Sequence, residues 1–317
     1  MRIGFAELSA PNIPTLRLEG DTASDPCMYI EQEGVQGWYS TPDLKVSLTE
    51  RGDGDGAHDV PDSAVAYAAR TVTLRVFASG RDRDETLEQW RRLLMFTHRQ
   101  VTLRIRDSRT DTECVGMVST VSEGEWHEGY LLGDLTVVCA RPERVAHTPS
   151  VLSLIPHRAS AGGGGGLMYG PGYFTECDVT PNDSESYLYL STVGTLGLRY
   201  PLTYSVQKPT AGSNSCLVEN HGSSRAYPVF TCYGNMPDGV DIVFPGENLW
   251  LRCTQPVYGE PLVLDSRSRT ATVGGLDVSR TLVSRGFPTV PPDGMVNCVL
   301  RTTGTGYVNV TVRDTYM

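Results

Sequence analysis

Residues 71–106 read TVTLRVFASGRDRDETLEQWRRLLMFTHRQVTLRIR, and the period of the pattern changes twice along them. In residues 71–77 Val72, Leu74 and Val76 alternate with Thr73 and Arg75, the period of two that gives a strand one buried face. The same alternation returns in residues 101–106. Between them Asp82 stands as an N-cap with Glu85 three residues on, a variant of the capping box. Leu87, Trp90, Leu93 and Leu94 then fall within about 120° of arc, so a helix from Asp82 to about Phe96 turns one stripe toward a core. Asp84, Glu85 and Glu88 crowd its first turns and Arg91 and Arg92 its later ones, as the macrodipole favours, with Glu88 spaced to pair with Arg92. Strand, helix and strand in this order predict a helix packed on a sheet. Trp90, on the stripe, is read as core and not as a ligand platform.

Strand signals continue on both sides. Residues 135–139 alternate again, and the second half is a series of short apolar runs at Tyr187, Tyr227, Val240, Leu249, Leu262, Val296 and Tyr307, separated by turn residues. That spacing predicts a sandwich or jelly roll. The fold class is therefore mainly β: an N-terminal sandwich or barrel with one packed helix, followed by a C-terminal β-sandwich. A seam follows Arg141 and Pro142, and the stretch from His147 to Gly172 has low complexity and no periodicity. Its run Gly162, Gly163, Gly164, Gly165 and Gly166 lacks the Lys-Ser/Thr of a phosphate loop and is read as an inter-domain linker. The expected domains are 1–150 and 151–317.

With 33 Gly and 20 Pro in 317 residues, 39% apolar and 20% charged, the chain is neither collagen nor coiled coil. No apolar run approaches the roughly 20 residues that span a bilayer, which predicts a soluble protein. Glu7 arrives before any apolar segment, so no secretory signal is expected and folding is expected in the cytosol. Eight Cys are scattered without a C-x-x-C pair, which indicates neither a zinc site nor a disulfide framework. Cys114, Cys139, Cys232, Cys253 and Cys298 sit in strand-like stretches, where a free thiol behaves as a small buried hydrophobe. The formal charge is −10, and residues 1–150 hold 16 basic and 24 acidic residues. Such a balance opposes nucleic-acid binding by phosphate neutralisation.

Candidate chemistry is sparse. Residues 123–128 gather Glu123, Glu125, His127 and Glu128, but without the His-x-x-x-His spacing of a metal site, and they read as a solvated loop between strands. Asp53-Gly54-Asp55-Gly56 resembles the start of a calcium loop, yet Asp62 stands where a bidentate Glu is needed. No G-x-S-x-G elbow occurs. No metal, cofactor or catalytic set is expected. A sandwich with an exposed Trp binds sugar by ring stacking, and Trp250 and Trp38 are the two candidates.

The order of the pieces resembles a family. Gly37-Trp38, residues 51–58, residues 69–74 with the helix after them and residues 101–106 come first. Residues 198–204 (LRYPLTY), 226–231, 261–265, 269–273 and 287–292 follow. Together these are similar to the distal tail proteins of long, non-contractile-tailed phages, the minor tail proteins of actinobacterial phages among them. Residues 293–297 are longer than the family's usual turn, and the Gly tract replaces a more ordered connection. The resemblance implies a virion protein of the tail tip or baseplate, assembled in the host cytoplasm and structural rather than enzymatic. It implies a homohexameric ring of N-terminal domains carrying galectin-like sandwiches. Its implied partners are the tail tube protein, the tail hub or tail-associated lysin, and the tape measure protein, with no specific nucleic-acid binding and no membrane insertion. Two other classes stay open: a carbohydrate-binding adhesion module and a tail lysin. Asp53, Asp55, Asp59 and Asp62 are candidates to line the ring's lumen, the alternative being that they solubilise an outer loop.

Overall fold

The computed structural model describes residues 3–20, 27–61, 65–127, 129–156 and 214–317. Asp62, Glu128, the tract from Gly162 to Gly166, the run at Tyr187 and residues 198–204 lie outside the described residues. The chain divides into two compact units, Met1–Thr148 with Gly222–Ser224 and Arg313–Met317, and Pro149–His221 with Arg225–Val312.

The first unit contains strands β1 (Ile3–Ala10), β2 (Ile13–Glu19), β3 (Cys27–Gln36) and β4 (Arg70–Ser79), helix α1 (Arg83–Leu94), and strands β5 (Gln100–Asp107), β6 (Asp111–His127), β7 (Tyr130–Cys139) and β8 (Arg144–Ala146). Seven of them pair in the order β6-β5-β1-β2-β3-β4-β7, and β7 pairs back onto β6, closing a barrel. The alternation read in residues 71–77 is real, since Val72, Leu74 and Val76 are fully buried and their neighbours are not. Leu103 and Ile105 of β5 and Leu135 and Val137 of β7 join them in one core.

Closure depends on one long strand changing partners. β6 runs 17 residues, its first half laddered to β5 from Asp111 to Met117 and its remainder to β7 from Met117 onward. Gly116 stands at the changeover, where a Cβ would lie 2.7 Å from the Val138 carbonyl and 2.8 Å from the Cys139 sulfur. Only a residue without a side chain lets the two strands approach that closely there.

Helix α1 begins as predicted. The Asp82 carboxylate accepts from Glu85 N–H at 2.8 Å, the Glu85 carboxylate accepts from Arg81 N–H at 2.8 Å, and Glu88 pairs with Arg92. Its phase and end differ from the reading. The buried face is Thr86, Gln89, Trp90 and Leu93, while Leu94 is exposed and the helix stops there, short of Phe96. The Thr86 hydroxyl donates to the carbonyls of Asp82 and Gly129, and the Trp90 indole lies over the bare backbone of Gly133, which together rotate the helix. Phe96, in the turn that follows, fills the core in place of Leu94.

The second unit contains β9 (Ser150–Leu154), β10 (Ser215–Asn220), β11 (Val229–Asn235), β12 (Val240–Phe244), β13 (Leu249–Cys253), β14 (Leu262–Asp265), β15 (Thr270–Val273), β16 (Leu276–Asp277), β17 (Leu282–Arg285), β18 (Gly294–Leu300) and β19 (Thr305–Val312). They form a five-stranded sheet, β10-β18-β12-β13-β17, and a six-stranded sheet, β16-β15-β14-β11-β19-β9. Alternate residues of both sheets meet in one core, where the rings of Phe230 and Phe244 lie 5.8 Å apart and tilted, the arrangement aromatic quadrupoles favour. This is the sandwich expected from the short runs.

The last strand, β20 (Thr315–Tyr316), returns to the first unit and pairs with β8. Glu113 fixes this return. Its carboxylate meets His147 Nδ1 at 2.5 Å on one oxygen and the Arg313 guanidinium on the other. Among the described residues no helix is long and apolar enough to cross a membrane.

Candidate functional site

Between β3 and β4 the first unit sends out a long excursion whose arms pair with each other. Lys45 N–H donates to the Ala66 carbonyl at 2.7 Å and Ala68 N–H to Asp43 at 2.9 Å. Further out, His58 N–H donates to Thr49 and Arg51 N–H to Gly56. The tip turns through Gly54 and Gly56, whose φ of +104° and +79° lie in the region that side chains disfavour. It is a narrow two-stranded ribbon with an acidic end.

Asp53, Asp55 and Asp59 all stand exposed at that end, so the structure brings three of the four predicted carboxylates together. Asp59 lies 3.6 Å from Arg51, which offsets part of the charge. Along the arms Leu44 and Leu48 are 59% and 64% exposed, apolar side chains on a ribbon that has no core of its own. Nothing periodic surrounds either leucine, so the sequence pattern does not mark them.

A buried arginine holds the root of this ribbon. Arg70, the first residue of β4, is 1% exposed. Its Nη1 donates to the carbonyls of Gly37, Trp38 and Ser40 at 2.6, 3.0 and 2.7 Å, and its Nε donates to Pro142 at 2.6 Å. The chain is thus clamped as it leaves β3, and Trp38 is driven into the core with no exposure at all. Parity was the signal available for this, since Arg70 shares the face of Val72 and Leu74.

Next to the clamp, Tyr39 donates its hydroxyl to Asp107 at 3.1 Å. Burial, together with the neighbouring Asp107 charge, pushes the Tyr39 phenol well up. Burial opposes ionisation of Asp107 too, but hydrogen bonds from Arg109 N–H, from the N–H and hydroxyl of Thr110 and from Tyr39 outweigh it, and its carboxyl stays below the usual range. The two-pronged hydrogen bond from Arg104, at 2.8 and 2.7 Å, holds Asp111 down as well.

A carboxylate with a depressed folded-state pKa contributes stability that is complete above its unfolded pKa, roughly 3.9, and is lost as pH falls through the lower folded value. The first unit is therefore expected to lose stability in acid below about pH 4. Asp111→Asn is expected to flatten that fall while lowering stability at neutral pH by about 1 kcal/mol. Urea midpoints measured between roughly pH 2 and pH 6 check it; an Asp111→Asn curve parallel to the parent's excludes this origin.

The other sequence candidates separate cleanly. Glu123, Glu125 and His127 lie on β6 where it pairs with β7, so these residues continue a strand instead of forming the expected loop. His127 is stacked on Tyr130 at 4.6 Å. No group of acidic, His and Cys side chains among the described residues is arranged to hold a metal. Of the two tryptophans considered for sugar, Trp38 is buried, and Trp250 on β13 is 43% exposed. The Trp250 indole N–H already donates to Asp241, and the Arg301 guanidinium lies 5.4 Å over its ring.

No family model and no curated protein matches the sequence. Solved structures do. The Dit protein (gp 19.1) of phage SPP1, described as a paradigm of the hub adsorption apparatus in phages infecting Gram-positive hosts, matches over 91% of this chain and 94% of its own, at 12% identity and a TM-score of 0.54. Two structures of the phage p2 baseplate in its activated conformation also match. The calcium form covers 98% of this chain and 97% of the other at 9% identity and a TM-score of 0.42. The strontium form covers 97% of each at 8% identity and a TM-score of 0.46. The fold assignment rests on the first: the chain has a Dit-like fold.

Proposed function

We propose that this protein is a structural component of a phage tail tip, acting by assembly and not by catalysis. The observation that carries the reading is the likeness to SPP1 Dit, which extends over nearly the whole of both chains at a TM-score of 0.54. In this reading six copies close a ring through the domain of residues 1–150. Residues 151–317 supply the linker, with Gly162 to Gly166, and a galectin-like sandwich. Heterologous contacts between identical barrels give a closed ring when the rotation closes, and six copies leave a channel for DNA. The ring joins the tail tube to the hub or tail-associated lysin beside the tape measure protein, is assembled in the host cytoplasm and ends in the virion of a siphophage.

Light scattering on the full chain, with negative-stain images, tests it. Rings of six times the chain mass are expected, and a monomer at every concentration overturns the proposal. The adhesion-module alternative rests on Trp250 alone, and Asp241 and Arg301 already occupy the indole N–H and one face of the ring that a sugar needs.

Within the ring, the acidic ribbon tip with Asp53, Asp55 and Asp59 is assigned to the channel wall, and Asp62, outside the described residues, is assigned to the same wall with them. Carboxylates there repel the duplex, whereas basic residues release counterions on contact and retain it. Reversing Asp53, Asp55 and Asp59 to Lys is expected to leave particle yield unchanged and to slow DNA ejection, with the rate recovering as salt is raised. Ejection as fast as the parent's at low salt places the tip elsewhere.

A further inference from the structure

Two pairs of cysteines lie thiol against thiol, one pair in each unit, and their positions in the ladders differ. Cys216 on β10 and Cys298 on β18 are directly opposite each other in register, and their thiols are neighbours. Residues directly opposed in an antiparallel pair have Cα atoms about 4.5 or about 5.5 Å apart, depending on the pair type. Both separations fall inside the roughly 4.4–6.8 Å that a disulfide accepts. Cys114 on β6, whose S–H donates to the Glu143 carbonyl at 3.4 Å, neighbours Cys139 on β7. Their ladder pairs Met117 with Val138, which sets Cys139 against Gly116, two positions from Cys114. Diagonal neighbours of that kind are about 7–8 Å apart, too far to bridge unless the barrel backbone moves.

Access favours the same pair. Cys298 is buried, but Cys216 is half-buried, and among the described residues β10 is an edge strand of its sheet. A small reagent therefore meets Cys216 first. The neighbouring Cys298 thiol outweighs burial and holds the Cys216 thiol below its ordinary range, which favours the thiolate that attacks.

We propose that Cys216 and Cys298 are a redox-sensitive clasp, two thiols in a reducing cytosol and a disulfide in an oxidising medium, which fastens edge strand β10 to β18. With a small-molecule disulfide such as oxidised glutathione as oxidant, the Cys216 sulfur attacks one sulfur and expels the first thiolate. The Cys298 sulfur then attacks Cys216 and expels the second. One S–S bond forms and one is broken, the two thiol protons pass to the two leaving thiolates, and the protein loses the two electrons the glutathione disulfide gains.

Full-length protein purified under reductant, equilibrated with oxidised glutathione, alkylated under denaturing non-reducing conditions and mapped by mass spectrometry tests this. The expected result is one internal cross-link joining the Cys216 and Cys298 peptides, with six of the eight thiols still labelled, Cys114 and Cys139 among them. The sandwich transition is expected to rise by roughly 5 °C on oxidation. That rise reverses with reductant and is missing in Cys216→Ser and Cys298→Ser. Eight labelled thiols, Cys216 held only as a mixed disulfide with glutathione, or a Cys114–Cys139 cross-link in its place overturns the proposal.

Discussion

Arg70→Met is expected to destabilise the first unit by about 4 kcal/mol, because four backbone carbonyls lose one shared charged donor group at once. Hydrogen bonds to a charged group contribute about 1.5–3 kcal/mol each, and these four are not additive, since carbonyls at the root of a loop recover part of the loss by meeting water. The side chain is 1% exposed and is tied to Gly37, Trp38, Ser40 and Pro142, so Met fills most of the volume and satisfies none of the acceptors. Lys is expected to do little better. An ammonium is a point donor at the end of its stem, whereas the guanidinium presents Nε and Nη1 in different directions, and here they reach two separate segments of chain. Calorimetry of the full chain reads the effect as a fall of roughly 8–16 °C in the first-unit transition, with the sandwich transition unmoved. A change below about 1 kcal/mol shows that the root is held by packing of Trp38 and not by the arginine.

How much of this was legible in the sequence follows from the range of each interaction. Strand alternation is a local signal, and Val72, Leu74 and Val76 disclosed their face directly. Closure of the barrel was not legible, since it depends on β6 leaving β5 for β7 at Gly116, a matter of which distant strands approach. The helix phase was misread because a hydrophobic stripe counts only apolar residues, while the buried face includes Thr86 and Gln89. Arg70 escapes a hydrophobic pattern for the same reason. Its parity placed it inward, but a charged residue is normally assigned outward, and only the carbonyls that gather round it make burial tolerable. Of the candidate site, the acidic cluster was read from its residues. That it caps a self-paired ribbon, and that Leu44 and Leu48 lie along that ribbon, came from pairings across masses of intervening loop that no period records.

Leu44→Asp with Leu48→Asp is expected to abolish assembly of the proposed ring while leaving the fold intact. A two-stranded ribbon is marginal in water by itself, and native proteins cover or blunt such edges. Here the outer arms carry two leucines that are 59% and 64% exposed, with Asp43, Lys45 and Glu50 between and beyond them. Exposed apolar side chains on a projecting element mark a surface that another molecule covers, and in the proposed ring that molecule is the adjacent copy. Burying a leucine stabilises by about 1.5–3 kcal/mol, so two leucines supply about 3–6 kcal/mol per contact, or at least a hundredfold in association at each interface. Carboxylates in their place forfeit that gain and add the cost of desolvating a charge. The same substitutions touch no core residue, so unfolding midpoints are expected to stay within about 0.5 kcal/mol of the parent. Sedimentation velocity across a concentration series separates the outcomes. Monomers with parental melting behaviour locate the contact on the ribbon, and rings formed at the parent's concentration place it on another face of the barrel.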